Sequence, residues 1–314
     1  MSSGERNESS AGRKIIKAAD SIVNYTVLSL LVILVIFCCF TIWNQRYIAT
    51  SATGSFTQYK PTSENRLSFA ELQDMNPDVL GWLTVYGTKI DYPLVQGKTN
   101  STYINNDPTG AYALSGSIFL DYRNSKNFDD FNSIIFGHHM AESAMFGDLT
   151  NFNDTDYFDS HRYGNLYYAG TDHGIDFFAF IKADAYDDLL YTPAVSSDPA
   201  GQQAYIDHIT TLASNYRQID IQPGDQIVVL STCSSDSTNG RELLIGKVTG
   251  EVFANPYETE TAGTTANTVS WIDQMKKFFG QFKDSWWLIV PVLMILPGLI
   301  LRISQRRRLQ RKRN

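Results

Sequence analysis

The chain has 314 residues, of which 43% are hydrophobic and 13% aromatic, enough for one sizeable core once the non-globular ends are set aside. Its net charge of −7 is unevenly spread: residues 1–43 hold four basic and three acidic side chains, and residues 286–314 hold seven basic and no acidic ones. The 15 basic and 30 acidic residues left in 44–285 give that part a net charge of −15, which argues against nucleic acid and other polyanionic ligands and favours cationic or neutral ones.

The first apolar segment runs from Tyr25 to Trp43, without a charge, and is long enough to cross a bilayer. A cleaved signal peptide is the alternative, with a weak cleavage motif at Ala49 to Ala52. The apolar core of a signal peptide is usually only about 7–15 residues long, so we expect a retained anchor. The basic residues before it indicate a cytoplasmic amino terminus: Arg13, Lys14 and Lys17.

Residues 44–66 are polar and rich in Ser, Thr and Gln, which predicts a stalk. A short helix is expected next, with Ser68 as its N-cap, Glu71 at the capping-box position and an end near Asn76. This helix opens the predicted main domain, residues 67–257.

The rest of that domain has the pattern of strands. Seven short runs, rich in β-branched and aromatic residues, are bounded by Gly, Pro, Asn or Asp: WLTVYGTKIDYPLV, GSIFLDY, SIIFGHH, GNLYYAG, IDFFAFIKADAY, DQIVVLSTC and RELLIGKVTGEVF. Their spacing predicts a closed barrel or a sandwich. One helix is expected to interrupt them, from Pro199 to Arg217 with Asp198 as N-cap, and its apolar face would hold Tyr205, Ile209, Leu212 and Tyr216.

A second apolar segment, residues 286–303, follows a linker at 258–285. It is short and contains Pro291 and Pro297, and a buried core helix is the alternative reading. Paired tryptophans at its start and the basic tail 304–314 at its end favour a second transmembrane helix with a cytoplasmic carboxyl terminus. Both ends of the chain would then be cytoplasmic, and the domain between the two helices extracytoplasmic.

Three cysteines occur in the chain, and two of them, Cys38 and Cys39, lie inside the first apolar segment. Cys233 is therefore the only thiol of the outer domain, which excludes a disulfide within that domain. A lone exported cysteine is either an inert core residue or a reactive thiol. Cys233 is predicted just past the end of a strand, Gln226 to Leu230, where a side chain can be both exposed and rigidly held.

Two other chemically active residue types are expected at strand ends. Arg241 opens the strand after Cys233, and another strand ends in His138 and His139. A thiol needs a cationic neighbour to ionise near neutral pH, a histidine can also protonate a leaving amine, and an arginine can stabilise an oxyanion. Neighbouring residues of a strand face opposite sides, so only one of the two histidines can point into a shared groove.

The ordered motifs from about Leu67 to Val252 resemble the sortases, membrane-anchored cysteine transpeptidases of Gram-positive bacteria, and most of all their class B branch. The motifs that carry the resemblance are ELQDMNPDVLGWLTVYGTKIDYPLVQ, GSIFLDYRN, NSIIFGHHM followed by MFGDL, LSTC and GRELLIGKV. The chain departs from the family at Val229, where threonine is frequent, and at Ser234, where an acidic residue or threonine is frequent. The carboxyl-terminal apolar segment resembles that of the pilin-polymerising sortases.

The resemblance implies an all-β fold with peripheral helices: a closed eight-stranded sortase-type β-barrel flanked by the two transmembrane helices. It implies Cys233 as nucleophile, His138 as general acid and base, and Arg241 as the oxyanion-stabilising group, with no cofactor and no metal. The implied partners are the lipid bilayer, secreted proteins with an LPxTG or NPxTN sorting signal, and an amine of a peptidoglycan cross-bridge or a pilin lysine. The sequence does not decide between wall anchoring and pilus assembly.

Two alternative functions are considered. An L,D-transpeptidase is also an exported cysteine acyltransferase, but that family sets an arginine two residues after its cysteine, where this chain has Ser235. A non-catalytic, membrane-tethered adhesin or scaffold could use the same barrel, and its Cys233 would then react no faster than an unperturbed thiol.

Overall fold

The computed structural model describes residues 3–52, 56–62, 67–192, 198–233 and 239–257. The helices in these residues are α1 (Ser3–Ala52), α2 (Leu67–Met75), α3 (Thr155–Ser160) and α4 (Pro199–Leu212), with 3₁₀ turns at Thr57–Tyr59, Ala141–Ser143 and Gly147–Asn153. The strands are β1 (Val79–Val85), β2 (Asp91–Val95), β3 (Ile118–Leu120), β4 (Asn132–Phe136), β5 (Tyr163–Tyr168), β6 (Thr171–Asp184), β7 (Ala213–Tyr216), β8 (Gln226–Cys233) and β9 (Gly240–Thr249).

The chain divides into two compact units. The first, Met1–Phe40 with Glu260–Asn314, is described only over residues 3–40, which belong to α1. Within the described residues, one helix is long and apolar enough to cross a membrane, over Ala18–Ala49. The predicted second transmembrane helix, 286–303, lies outside the described residues, as do the linker and the basic tail.

The second unit, Thr41–Thr259, holds a closed barrel. Its strands follow the order β5-β1-β2-β3-β4-β8-β9-β6, and pairing of β6 with β5 closes the ring. Most pairs are antiparallel, but β2 with β3 and β4 with β8 are parallel. The eight-stranded barrel predicted from the resemblance is therefore confirmed.

The helix predicted from Pro199 to Arg217 is wrong at its carboxyl end, where a ninth strand follows it. Helix α4 begins at Pro199 with Asp198 at the N-cap, as predicted, but ends at Leu212. The chain then becomes extended, and β7 pairs with the outer part of β6. Tyr216 is consequently a strand residue. The apolar spacing would have allowed the helix to continue to this residue, but hydrogen bonding to the edge of β6 stabilises the strand more.

Two other boundaries differ slightly from the prediction. Helix α2 already includes Leu67, so Ser68 lies in its first turn and not at its N-cap. Strand β8 continues through Cys233, three residues beyond its predicted end, because β9 pairs with it along that whole length. Cys233 is thus the last residue of the strand.

The alternation of side chains along the strands separates an inner from an outer face. The inner face fills the barrel with apolar side chains from all eight strands, among them Leu83, Leu94, Ile135, Val228, Leu230 and Leu244. The outer face of β4, β8, β9 and β6 is covered by α4 through a second cluster that includes Ile134, Val229, Leu243, Ile245, Tyr205 and Ile209. Burial on both faces makes these strands rigid, and they carry the site described next.

Candidate active site

The three predicted site positions lie at the ends of neighbouring strands or just beyond them. The β4–β8 register pairs Asn132 with Ile227 and runs in step to Phe136 with Ser231, the last pair, where Gly137 N–H donates to the Ser231 carbonyl at 3.2 Å. Continued two residues past this last pair, the register leads from β4 to position 138 and from β8 to position 233.

Strands β8 and β9 supply the third position. They form an antiparallel pair in which Cys233 lies opposite Arg241. Adjacent strands are about 4.8 Å apart. Cys233 and Arg241 are therefore cross-strand neighbours. The continued β4–β8 register puts His138 in the same row, on the other side of β8.

The backbone alternation places this row on the outer face. Ile134 and Phe136 point to that face on β4, Val229 on β8 and Leu243 on β9. Positions 138, 233 and 241 follow them at intervals of two or four residues, so they share the same side of the sheet. The Arg241 side chain is half-buried, and its Nη1 donates to the Gly240 carbonyl at 2.9 Å.

The half-buried imidazole of His138 is held by the loop between β2 and β3, residues 96–117. Its Nε2 lies 2.7 Å from the carbonyl oxygen of Ile104. A carbonyl oxygen can only accept a hydrogen bond, so Nε2 carries the proton and donates it. The remaining ring nitrogen, Nδ1, is then the one that can exchange a proton with a reacting group.

His139 has a different environment on the inner side. Its Nδ1 lies 3.4 Å from Thr150 Oγ1, and the Thr150 hydroxyl donates to Glu242 Oε2 at 2.7 Å. Glu242 precedes Leu244 on the inner face of β9 and is fully buried. The two adjacent histidines thus face opposite sides of the sheet, as the alternation requires.

Glu242 is a buried polar residue that was not expected from the sequence. The signal was available: an acidic residue at the first inward-facing position of RELLIGKV, where the following inward positions are Leu244, Gly246 and Val248. Glu242 Oε1 and the hydroxyl of its cross-strand partner Thr232 are both buried without a hydrogen-bond partner among the described residues. The Thr150 hydroxyl is consequently the one donor the described residues provide to this carboxyl group.

We expect Thr150→Val to destabilise the fold by about 2 kcal/mol, because it removes the donor from a buried carboxyl group without changing the size of the side chain. The midpoint of urea unfolding at neutral pH measures the loss. Thr150→Ser keeps the hydroxyl and is the control, with a much smaller expected change. Equal stability of the valine variant and the parent would contradict the importance of this hydrogen bond.

Aromatic and polar side chains line the outer face beside the row. The Tyr191 hydroxyl lies 3.0 Å from Ser231 Oγ, two residues before Cys233, and its ring stacks on Phe136 with centroids 6.3 Å apart. These residues cover the outer face beside the ends of β4 and β8. Tyr191 was missed in the sequence because it lies in a loop more than forty residues before Cys233.

The GSIFLDYRN motif holds the Tyr191 segment in place through Arg123. Arg123 donates three times to the fully buried Asp121 carboxylate, twice from its guanidinium and once from its main-chain N–H, and its Nη2 also donates to the Tyr191 carbonyl at 3.1 Å. Burial raises the pKa of the Asp121 carboxyl, but the hydrogen bonds from Arg123 outweigh it and keep that pKa below its usual range. Gln96 Nε2 donates to the carbonyls of Asp121 and Asn124 and closes the turn.

The segment after the histidines is strained and clamped. Glu142, Ser143 and Met145 have φ values of 59°, 61° and 53°, a region that costs non-glycine residues energy. The Met145 N–H donates to the Tyr92 hydroxyl at 2.9 Å, and Lys89 Nζ donates to the Glu142 carbonyl at 2.8 Å. These contacts hold the chain that follows His138 in a fixed path.

The last turns of α1 pack against the same region. Ala49 and Ala52 are 1% and 9% exposed and belong to the inner cluster together with Tyr92, Ala144 and Met145. Arg46 reaches Glu142 with Nε 3.5 Å from the carboxylate. The predicted stalk, 44–66, therefore begins as ordered helix on the barrel.

Comparisons with known proteins give consistent results. No family model matches the chain. Sortase B of Listeria monocytogenes is 32% identical over 187 residues, which make up 59% of this chain and 75% of the relative. Sortase B from the type II pilus of Streptococcus pneumoniae is 46% identical with a TM-score of 0.51, and a class B sortase of Streptococcus pyogenes involved in pilus biogenesis is 41% identical with a TM-score of 0.53. Both matches cover 58% of this chain and 98% of the solved one.

Proposed function

Because the chain belongs to the sortase family and is most similar to its class B branch, we propose that Cys233, His138 and Arg241 carry out the cysteine transpeptidation of that family. The observation that supports the proposal is the register of β4, β8 and β9: it pairs Cys233 with Arg241 and, continued two residues past Phe136, leads to His138 in the same row. The ordered, half-buried surroundings of His138 and Arg241 fit groups that must be positioned before substrate arrives.

In the first half-reaction, the Cys233 thiolate attacks the carbonyl carbon of the threonine in an LPxTG or NPxTN sorting signal. The carbon–nitrogen bond to the following residue breaks, and His138 gives its proton to the departing amine. The guanidinium of Arg241 donates hydrogen bonds to the oxyanion of the tetrahedral intermediate; loss of one such donor typically costs about 10²–10³ in rate. The product is a thioester between Cys233 and the threonine.

In the second half-reaction, an acceptor amine attacks the thioester carbonyl. His138, now neutral, takes the proton that the amine loses, and the sulfur leaves as thiolate. A thioester reacts readily with amines, so an active site that limits water transfers the acyl group in preference to hydrolysing it. The net charge of −15 on residues 44–285 favours the approach of a cationic acceptor.

For the acceptor we favour a pilin lysine over a peptidoglycan cross-bridge. The support is the sequence identity: 46% and 41% with the two sortases whose names refer to pili, against 32% and 29% with the sortase B enzymes of Listeria monocytogenes and Staphylococcus aureus. The apolar carboxyl-terminal segment, which resembles that of pilin-polymerising sortases, points in the same direction.

The proposed location is the cell membrane, with the catalytic domain extracytoplasmic and both termini cytoplasmic. Support comes from the apolar stretch Ala18–Ala49, the basic residues before it and the basic carboxyl-terminal tail. A retained anchor would keep the enzyme where secreted substrates emerge.

The function is tested with the full chain in detergent, sorting-signal peptides of both types, and two acceptors: a lysine-containing pilin peptide and a cross-bridge peptide. Mass spectrometry should find a thioester adduct on the tryptic fragment that contains Cys233, and an isopeptide product chiefly with the lysine acceptor. Preference for the cross-bridge would reverse the choice of acceptor. Absence of any adduct with either signal would reject the transpeptidase assignment of these residues.

A further inference from the structure

We infer that Gly116 is a positioning residue for the catalytic histidine: its missing side chain allows the Ile104 carbonyl to sit where it fixes the ring of His138. The inference rests on the proposed role of His138 and extends it to a residue 22 positions earlier in the chain. Gly116 touches no substrate atom in this account and acts only through the main chain of Ile104.

The first step is the contact between the loop and the ring. His138 Nε2 lies 2.7 Å from the Ile104 oxygen, a short hydrogen bond that selects the tautomer with the proton on Nε2. That tautomer leaves Nδ1 unprotonated in the neutral ring. Only Nδ1 can then exchange a proton with the thiol and with the reacting amine. The Ile104 carbonyl therefore determines which ring nitrogen takes part in proton transfer.

The second step is the contact between Gly116 and the same carbonyl. A Cβ atom at Gly116 would lie 2.3 Å from the Ile104 oxygen, 2.9 Å from the Ile104 carbonyl carbon and 2.7 Å from the Tyr103 oxygen. Real Cβ atoms do not come so close to main-chain atoms, so something has to move. Gly116 also has a φ of +58°, which glycine adopts without cost.

The third step identifies what moves. Tyr103 is 3% exposed, its carbonyl accepts from Ser117 N–H at 3.0 Å, and its hydroxyl is bound by Asn76 and donates to Asp78. Ile104 is 38% exposed. A side chain at position 116 should therefore displace the Ile104 carbonyl and leave Tyr103 in place.

The fold should tolerate this displacement. Ile104 is partly exposed, so its main chain can shift toward solvent, and Gly116 itself borders a cavity of about 190 Å³ with Tyr92, Ile118 and Met145 among its other walls. The expected loss is consequently in the orientation of His138 and not in the stability of the barrel. A misplacement of a catalytic group by about 1 Å can cost on the order of 10²-fold in rate.

The same loop contains a matched control. Gly110 has a φ of +86°, so alanine there carries the same kind of backbone strain, but no atom of the described residues lies within 4 Å of its would-be Cβ. Gly110→Ala thus measures the strain without the contact with Ile104. The difference between the two alanine variants isolates the effect on the carbonyl.

The test uses the full chain in detergent, with Gly116→Ala and Gly110→Ala compared with the parent in two measurements. Steady-state kinetics with a sorting-signal peptide should show that Gly116→Ala lowers kcat by about 10²-fold with KM changed little, while Gly110→Ala stays within about threefold. The ¹⁵N shifts of the neutral His138 ring, assigned by comparison with His138→Asn, should show the proton on Nε2 in the parent and in Gly110→Ala. In Gly116→Ala the two tautomers should mix.

Several outcomes would overturn the inference. They are equal losses in the two alanine variants, an unchanged His138 tautomer in Gly116→Ala, or full activity of that variant. If Gly116→Ala fails to fold, the ¹⁵N shifts of the parent still test the first step, because a neutral His138 ring with its proton on Nδ1 would reject the inference. If the parent protein shows no turnover but carries the proton on Nε2, the proposed function is rejected. The comparison of the His138 tautomers in the two alanine variants still tests the role of Gly116.

Discussion

Replacing Cys233 with alanine should abolish thioester formation and lower turnover of a sorting-signal peptide by about 10⁵–10⁶-fold, as loss of the nucleophile does in other covalent enzymes. The physical reason is that the remaining groups of the row, His138 and Arg241, can polarise the peptide bond but cannot form the acyl intermediate. Turnover is measured by release of a fluorescent leaving peptide, and acylation by the mass of the denatured protein.

The matched control is the double variant Cys38→Ala and Cys39→Ala, because these cysteines lie exposed on α1. It should retain the turnover of the parent. Unchanged turnover in Cys233→Ala would end the transpeptidase assignment. Thiol labelling adds an independent measurement: if Cys233 reacts no faster at neutral pH than an unperturbed thiol, the scaffold alternative gains support.

The two adjacent histidines should respond very differently to the same substitution. His138→Asn should lower kcat/KM by about 10²–10⁴-fold, because it removes the group that exchanges protons in both half-reactions. His139→Asn should keep turnover within a few-fold, because His139 faces Thr150 and Glu242 on the inner side. Its asparagine can still offer a polar atom near Thr150, so a modest loss of stability is the main expected change.

Kinetics with the same peptide, together with a thermal unfolding midpoint for each variant, separate the two effects. A large loss of activity in a stable His139→Asn protein, with His138→Asn active, would assign the catalytic role to His139. That result would also contradict the face assignment, since it would require the row to continue on the inner side of the sheet.

Much of the barrel could be predicted because its signals are local. Seven β-rich runs between turn residues correspond to the eight strands of the ring, the first run forming both β1 and β2. The hairpin of β8 and β9 also follows from sequence order, and it brings Cys233 opposite Arg241. Strand β7 could not be predicted, because ASNY is short and continues the apolar period of the preceding helix.

The contacts that complete the candidate site join residues far apart in the chain, and no local sequence pattern predicts them. The bond between His138 and Ile104 joins a strand end to an irregular loop, and the bond between Thr150 and Glu242 joins residues far apart in the chain. Tyr191 reaches Ser231 from a loop that precedes α4. Each depends on the barrel having closed, so motif spacing predicts the reacting groups but not the groups that orient them.

The parallel pairing of β4 with β8 has a consequence for biogenesis. Every pair in it joins residues 95 positions apart, and β5, β6, α4 and β7 all come between them in the chain. Such distant pairings are slow to form, since the entropy of a long loop is lost before its contacts stabilise it. In the proposed mechanism, the Cys233 thiol of a newly made polypeptide would therefore gain its histidine neighbour, and with it its reactivity, only when β4 and β8 have paired and the ring is complete.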